Sequence, residues 1–273
     1  MIKLGLIGYP VNHSLSPKIQ NAALKACGLE GEYSLFPIAP DDMQALKVLL
    51  DRVRSGEITG LNVTIPHKQN VIQFMDELTP TAKAIGAVSV IYLRGDKLIG
   101  DNADAHGFLT DLKKTFDFSS LAASPSALIL GAGGSARAVI YALLNDGWDV
   151  TIAARRIEQA QELAVQFKTT SAVELNVQTF QGSNVQLIVN TTPLGMTPNI
   201  ETSPLPENMV LPSRINVYDL VYNPRETKLV RDARAQGLSA STGLGMLIEQ
   251  AALGFELWTG YKLSNEIFRN AIE

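Results

Sequence analysis

Residues 127–145 read ALILGAGGSARAVIYALLN, and the order of residue types in this stretch decides the fold. Ala127 to Leu130 is a short apolar run of the length of a buried strand. It passes directly into Gly131-Ala132-Gly133-Gly134-Ser135-Ala136-Arg137, and a helical stretch, Ala138 to Asn145, follows. This is G-x-G-x-x-A with a strand before it and a helix after it, the context in which the pattern carries meaning. Glycine is wanted at 131 for a tight turn and at 133 so that backbone can approach a pyrophosphate, and small Ala136 lets helix pack on strand. Ala132, Gly134 and Ser135 complete a loop whose free N–H groups would face phosphates at the helix start. The plain alternative is a glycine-rich turn that binds nothing. The strand and helix around it favour a dinucleotide site.

Outward from this loop, the next strand, Asp149 to Ala153, ends where an NAD site would place Asp or Glu on the ribose. The chain instead reads Ala153-Ala154-Arg155-Arg156. A guanidinium matches a 2′-phosphate in charge and fork geometry, so NADP is preferred, with Arg155 favoured over Arg156, which also reads as a solvated helix-start residue. A buried strand, Leu187 to Asn190, leads into Thr191-Thr192-Pro193-Leu194-Gly195-Met196. Ligands of doubly wound sheets lie beyond the C-terminal strand ends, so this loop should border the cofactor. Ile215 to Leu220 follows as a strand and Thr227 to Gln236 as an amphipathic helix. Five of the 13 prolines fall within 193–212, which reads as an ordered but irregular loop.

The first half alternates strand and helix. Ile2–Ile7 reads as a strand, Ser16-Pro17 as the capped start of a helix that Gly28 stops, and 33–38 as a second strand. Pro40-Asp41-Asp42 opens a helix closed by Ser55-Gly56, Leu61–Ile65 is a third strand broken by Pro66, and Val88–Leu93 and Lys97–Gly100 form a hairpin. The order argues for a mainly parallel sheet with crossover helices. Residues 117–126 read as a linker, with a boundary inside a preceding helix as the alternative. The expectation is a two-domain α/β protein. A substrate-binding catalytic domain takes 1–104 plus 241–273, and a Rossmann-like dinucleotide domain takes 105–240.

Composition limits the function classes. Of 273 residues, 46% are hydrophobic and 18% charged, as in a folded globular chain. The 23 basic against 27 acidic residues leave a charge of −4, the wrong sign for tracking nucleic-acid phosphates. Cys27 is the lone cysteine, expected in the core, and with three histidines it makes no zinc-ligand pattern, so no metal is expected. His13, His67 and His106 are expected to serve packing or local hydrogen bonds. No apolar run approaches the ~20 residues that span a bilayer, and no signal peptide is read at the start. The expectation is a cytoplasmic protein, monomer or homodimer, acting on a small molecule.

Three polar clusters could serve chemistry beside a dinucleotide: Ser14 and Ser16 before a helix, Asn62-Val-Thr64-Ile-Pro-His67-Lys68 at a strand end, and Asp101-Asn-Ala-Asp104 at another. Lys68 beside Asp104 would make a proton-transfer pair. Spacing alone leaves the bland alternatives open: a solvated lysine, an aspartate capping a helix from Ala105, and a serine cap at 16.

Together these stretches resemble the shikimate dehydrogenase family almost end to end. They are GYPVNHSLSPKIQN (8–21), GLNVTIPHK (60–68), GAV (86–88), GDNADAHG (100–107), GAGGSARA (131–138), NTTPLGM (190–196), YDLVYNP (218–224) and GLGMLIEQAALGFELWTG (243–260). The second and fourth are the most specific. The resemblance implies reversible NADPH-dependent reduction of 3-dehydroshikimate to shikimate, a step of aromatic amino-acid biosynthesis. It implies Lys68 and Asp104 as the catalytic pair and Ser14, Ser16, Asn62, Thr64, Tyr222 and Gln250 as substrate-binding positions. To the cofactor it assigns the glycine loop, Arg155, Arg156, Asn190, Thr191, Thr192, Leu220, Gly243 and Met246. Ser89, also assigned to substrate, stands where the family usually has Asn, and a hydroxyl offers fewer hydrogen bonds than an amide. Gln20 replaces a common histidine, Ala103 a common threonine, and Gln159 a common arginine, which leaves mixed NAD use open. The rivals are a quinate or aminoshikimate paralogue, which Ser89 keeps open, and a non-catalytic NADP-binding regulator, which the retained Lys68 and Asp104 oppose. A folate-linked methylene dehydrogenase does not account for the Ser-x-Ser-Pro entry.

Overall fold

In a computed structural model, described for all residues except 120–123, 169, 175–183, 208 and 273, the chain forms two compact units. Met1–Gly107 with Ile248–Glu273 is one, and Phe108–Leu247 the other.

The first unit is built on a six-stranded sheet. Its strands are β1 (Ile2–Gly8), β2 (Gly31–Pro37), β3 (Gly60–Val63), β4 (Glu77–Leu78), β5 (Val90–Arg94) and β6 (Lys97–Asp101), in the order β2-β1-β3-β5-β6-β4. β1 is parallel to β2 and β3, whereas β5 runs antiparallel to β3 and to its hairpin partner β6. Three helices connect them: α1 (Ser16–Ala26), α2 (Met43–Arg54) and α3 (Pro80–Ile85). α2 forms because Leu46, Leu49, Leu50 and Val53 recur at helical spacing and all four are buried; Asp42 caps it by accepting from Ala45 N at 2.9 Å. With Ile7, Ile58, Leu61, Val63, Val88, Ile91 and Leu98 these side chains form the unit's core.

Among the described residues, the strands of the second unit all pair in parallel. Its strands are β7 (Ser126–Leu130), β8 (Asp149–Ala154), β9 (Thr170–Glu174), β10 (Leu187–Asn190), β11 (Asn216–Asp219) and β12 (Ser239–Thr242), in the order β12-β11-β10-β7-β8-β9. The order reverses between β7 and β10, the switch point at which such sheets bind ligands. Helices α5 (Gly134–Asn145), α6 (Ile157–Phe167) and α7 (Lys228–Ala235) follow β7, β8 and β11. Leu128, Leu130, Ile188, Val217 and Leu229 lead its core. Two helices, α4 (Asp104–Thr115) and α8 (Leu244–Thr259), contribute residues to both units, and α9 (Asn265–Asn270) closes the chain. Among the described residues no helix is long and apolar enough to cross a membrane.

Several details differ from the sequence reading. α5 starts at Gly134, four residues before Ala138, because first-turn N–H groups need no partner within the helix and glycine is tolerated there. Ser16 lies inside α1 and Leu15 is the N-cap; Ser14 Oγ, not Ser16, accepts from the Ser16 N–H at 3.2 Å. Cys27 is half-buried at the C-cap of α1, past the last buried residue of that helix, Leu24, and is not a core residue. β4 and α3 lie in a segment, 70–85, for which the sequence predicts no element. Within 117–126, residues 120–123 are outside the described residues. The described part of 193–212 holds no helix or strand.

Candidate active site

In the first unit, the ends of β1 and β3 come together. Tyr9 N donates to Ile65 O at 2.9 Å and Thr64 N to Ile7 O at 2.8 Å, while Gly8 is small because a Cβ there would meet Thr64 Cγ2. Asn62 lies in β3 with Thr64 and Lys68 just past it, while Ser14 and Ser16 follow β1, Ser16 in the first turn of α1. Asn62 is buried and committed within the protein: its Oδ1 accepts from Tyr33 OH at 2.8 Å and its Nδ2 donates to Ser89 O at 3.3 Å. Ser89 is likewise buried, and its Oγ accepts the Ala103 N–H at 2.9 Å. Thr64, Ser14 and Gln250 are half-buried. Gln20, fully buried, donates from Nε2 to Ala251 O at 3.1 Å. His67 is buried too, and its Nε2 donates to Ile38 O at 2.7 Å, fixing the turn that precedes Lys68.

Lys68 and Asp104, 36 positions apart, form an ion pair through Nζ and Oδ2 with side chains only 9% and 6% exposed. Burial of such a pair is costly unless its geometry is held, and both ends are held here. Lys68 O accepts the Val88 N–H at 2.8 Å. Asp104 opens α4, but the cap is Asn102, whose Oδ1 accepts from Asp104 N at 3.0 Å and Ala105 N at 3.3 Å. Asn102 Nδ2 donates to Ala87 O at 2.9 Å, so the cap itself cannot rotate away. With the cap supplied by Asn102, the Asp104 carboxylate is left for the lysine. Sequence reading misses Asn102; the signal is an Asn two places ahead of the helix start, ambiguous beside two aspartates.

In the second unit, Gly131 has φ +111° and packs so closely on the β10 loop that a Cβ would lie 2.7 Å from Thr191 Oγ1. Gly133 is the N-cap of α5, extended, exposed and with no atom within 4 Å of a built Cβ. No side chain caps α5, so its first N–H groups stay available to an anion. Arg155 and Arg156 are both exposed just past β8. An open glycine, an uncapped helix N-terminus and two arginines beyond the neighbouring strand fit the diphosphate and 2′-phosphate of NADP.

Asn190, expected at the cofactor, is fully buried and turns its side chain inward. Its Oδ1 accepts from Thr192 N and Oγ1, and its Nδ2 donates to Asp219 Oδ1 at 2.8 Å. Burial pushes the Asp219 carboxyl up to about 6. Met246 is buried, and its N–H meets the Tyr218 hydroxyl, which in turn donates to Asp111 Oδ2 at 2.6 Å. Tyr222 is half-buried. Gly243 lacks a Cβ because one would run into Leu220 O.

Fold and site define a class: α/β oxidoreductases with a Rossmann-type dinucleotide unit and a second unit carrying a buried lysine–carboxylate pair. Family models agree: the shikimate dehydrogenase substrate binding domain matches residues 6–91, shikimate / quinate 5-dehydrogenase 113–193, and the shikimate 5′-dehydrogenase C-terminal domain 243–273. The chain belongs to the shikimate dehydrogenase family. The shikimate dehydrogenase (NADP(+)) of Methanopyrus kandleri is 39% identical over 280 residues, covering 98% of this chain and 94% of that one. That of Bacillus subtilis strain 168 is 37% identical, covering 98% and 95%. The structure of shikimate 5-dehydrogenase from Thermus thermophilus, in complex with NADP(H) and shikimate, matches with a TM-score of 0.86 at 36% identity, over 99% of this chain and 98% of that one.

Proposed function

We propose that this chain is a shikimate dehydrogenase: it interconverts 3-dehydroshikimate and shikimate with NADP(H), and Lys68 with Asp104 is its proton-transfer pair. The buried ion pair between them is the observation that carries the residue assignment. NADPH, when bound, supplies the hydride. The chain's own residues supply binding, orientation and the proton. Lys68 Nζ holds the proton that the ketone oxygen takes up as it becomes a hydroxyl; in the reverse direction Nζ takes it back. Asp104 fixes the ammonium by accepting one of its N–H bonds, which leaves the others for substrate oxygen.

Ser14, Ser16, Thr64, Gln250 and Tyr222 are assigned to the substrate's carboxylate and hydroxyls. Asn62 and Ser89 are assigned to the substrate as well: their hydrogen bonds within the fold use Asn62 Oδ1, one Nδ2 N–H and a Ser89 Oγ lone pair, which leaves an amide N–H and the serine hydroxyl proton as donors. Arg155 is assigned to the 2′-phosphate and the Gly131–Ala136 loop to the diphosphate. The substrate half is taken as 1–104 with 241–273 and the cofactor half as 105–240, in a cytoplasmic enzyme.

The test is a nicotinamide absorbance assay that crosses shikimate and quinate with NADP and NAD. Turnover confined to shikimate with NADP is expected. Preference for quinate, or no turnover by protein shown to bind NADPH, would overturn the substrate assignment.

A further inference from the structure

The acid that ends β11 has no part in the chemistry above, yet two segments assigned to the cofactor, at Asn190 and at Leu220, converge on it together with Thr227 at the start of α7. Asp219 is fully buried. Its Oδ1 accepts from Asn190 Nδ2 at 2.8 Å and from the Val221 N–H at 3.0 Å, and its Oδ2 accepts from Thr227 Oγ1 at 2.6 Å. Each donor belongs to a different structural task.

Asn190 passes the constraint to the β10 loop. Its Oδ1 takes the Thr192 N–H at 2.9 Å and the Thr192 hydroxyl at 2.7 Å, and Thr192 Oγ1 accepts from Leu194 N at 3.3 Å. That loop is the wall of the glycine turn: a Cβ at Gly131 would lie 2.9 Å from Thr192 Cγ2. Val221 holds the Leu220 turn, on which Gly243 rests without room for a side chain. Thr227 backs the far end of the loop, because Gly195, at φ +89°, has the Thr227 Cβ 3.5 Å from where its own Cβ would be. One carboxyl therefore fastens the glycine turn's wall, the 220–221 turn and the loop's exit at Gly195.

We propose that Asp219 is a positioning residue for NADP: it touches no cofactor atom but holds the Thr191–Gly195 loop and the Leu220 turn in the shape that receives it. The proposal rests on the assignment of those loops to NADP. Buried donors that lose their acceptor are strongly destabilising, so without the carboxyl the loops re-form elsewhere.

The experiment titrates NADPH by its fluorescence and shikimate by calorimetry against wild type, Asp219→Ala, Asp219→Asn and Thr227→Val. Asp219→Ala is expected to weaken NADPH about tenfold or more and to leave shikimate unchanged. Asp219→Asn restores NADPH binding to within about threefold, since Oδ1 still accepts and Nδ2 can donate to Thr227 Oγ1. Should Asp219→Ala fail to fold, Thr227→Val removes one donor and is expected to weaken NADPH about threefold, again sparing shikimate. Wild-type NADPH affinity in folded Asp219→Ala, or in Thr227→Val where the alanine variant does not fold, overturns the positioning role and leaves the cofactor assignment standing. Equal loss for both ligands also overturns it, as a general structural effect. Wild-type protein that does not bind NADPH overturns the cofactor assignment itself.

Discussion

At the scale of single residues, the consequential contact is Lys68 Nζ on Asp104 Oδ2. Lys68→Ala should lower kcat by a factor of about 10²–10⁴ with little change in KM, as for a group that acts mainly in the transition state. Steady-state rates check this, and near-normal turnover would remove Lys68 from the mechanism. Arg155, exposed beyond β8, should act on one cofactor only. Arg155→Ala should raise KM for NADP about tenfold and leave NAD unaltered, because only NADP offers the extra phosphate. Equal losses with both would make the arginine structural. The lysine, both arginines and the aspartate stand out in the sequence as polar residues at strand ends. The lysine–aspartate pairing is offered there by the family resemblance and left open by spacing, because a 36-residue separation says nothing about contact until β3 and the end of β6 are brought together.

At the scale of elements, start signals compete, and packing decides among them. Asp101, Asn102 and Asp104 are all good caps; Asn102 takes the role and Asp104 is released to the lysine. Asn102→Ala should therefore cost about 1–2 kcal/mol, read from denaturant unfolding, and also lower kcat, since α4 would lose the anchor that aims Asp104. Unchanged stability would show that the cap is dispensable. Gly60 marks a second element-level constraint, for a Cβ there would collide with the Trp258 indole, itself tied by Nε1 to Ile91 O at 3.1 Å. Gly60→Ala should lower stability by about 1–3 kcal/mol, and a melting temperature equal to wild type would contradict this packing. α3 escapes the sequence reading although Thr79-Pro80 is a sound start, with Thr79 Oγ1 accepting from Ala82 N at 3.2 Å. Its six residues are too few to display a period.

At the scale of the whole molecule, stability carries the signature of a buried acid. Burial raises the Asp219 carboxyl from its ordinary value of 3.8 to about 6. The folded state then holds the proton more tightly than the unfolded one, so this group's contribution is fully present below about pH 4 and is lost as pH rises through 6. The span corresponds to about 3 kcal/mol at most. Exposed carboxylates paired with arginine, such as Glu57 with Arg52 and Asp76 with Arg54, are held below their usual range and act in the opposite sense. Subtracting wild type from Asp219→Asn isolates the buried acid: the variant's relative stability should climb between about pH 4 and 6 and then level off. A flat difference across that interval would show that the charge is not confined as described.

Local sequence carries the strand–turn–helix grammar, the parallel character of the second sheet, the glycine loop and the residue types able to do the chemistry. These follow from local physics: apolar periodicity, capping and the freedom of glycine act over a few residues. The contact of Lys68 with Asp104, which the resemblance implies and spacing leaves open, the choice of Asn102 as the cap of α4 and the inward turn of Asn190 to a buried Asp219 emerge once the chain is packed. Those choices depend on burial, which strips water from each polar group and destabilises the fold unless a partner from a distant segment replaces it.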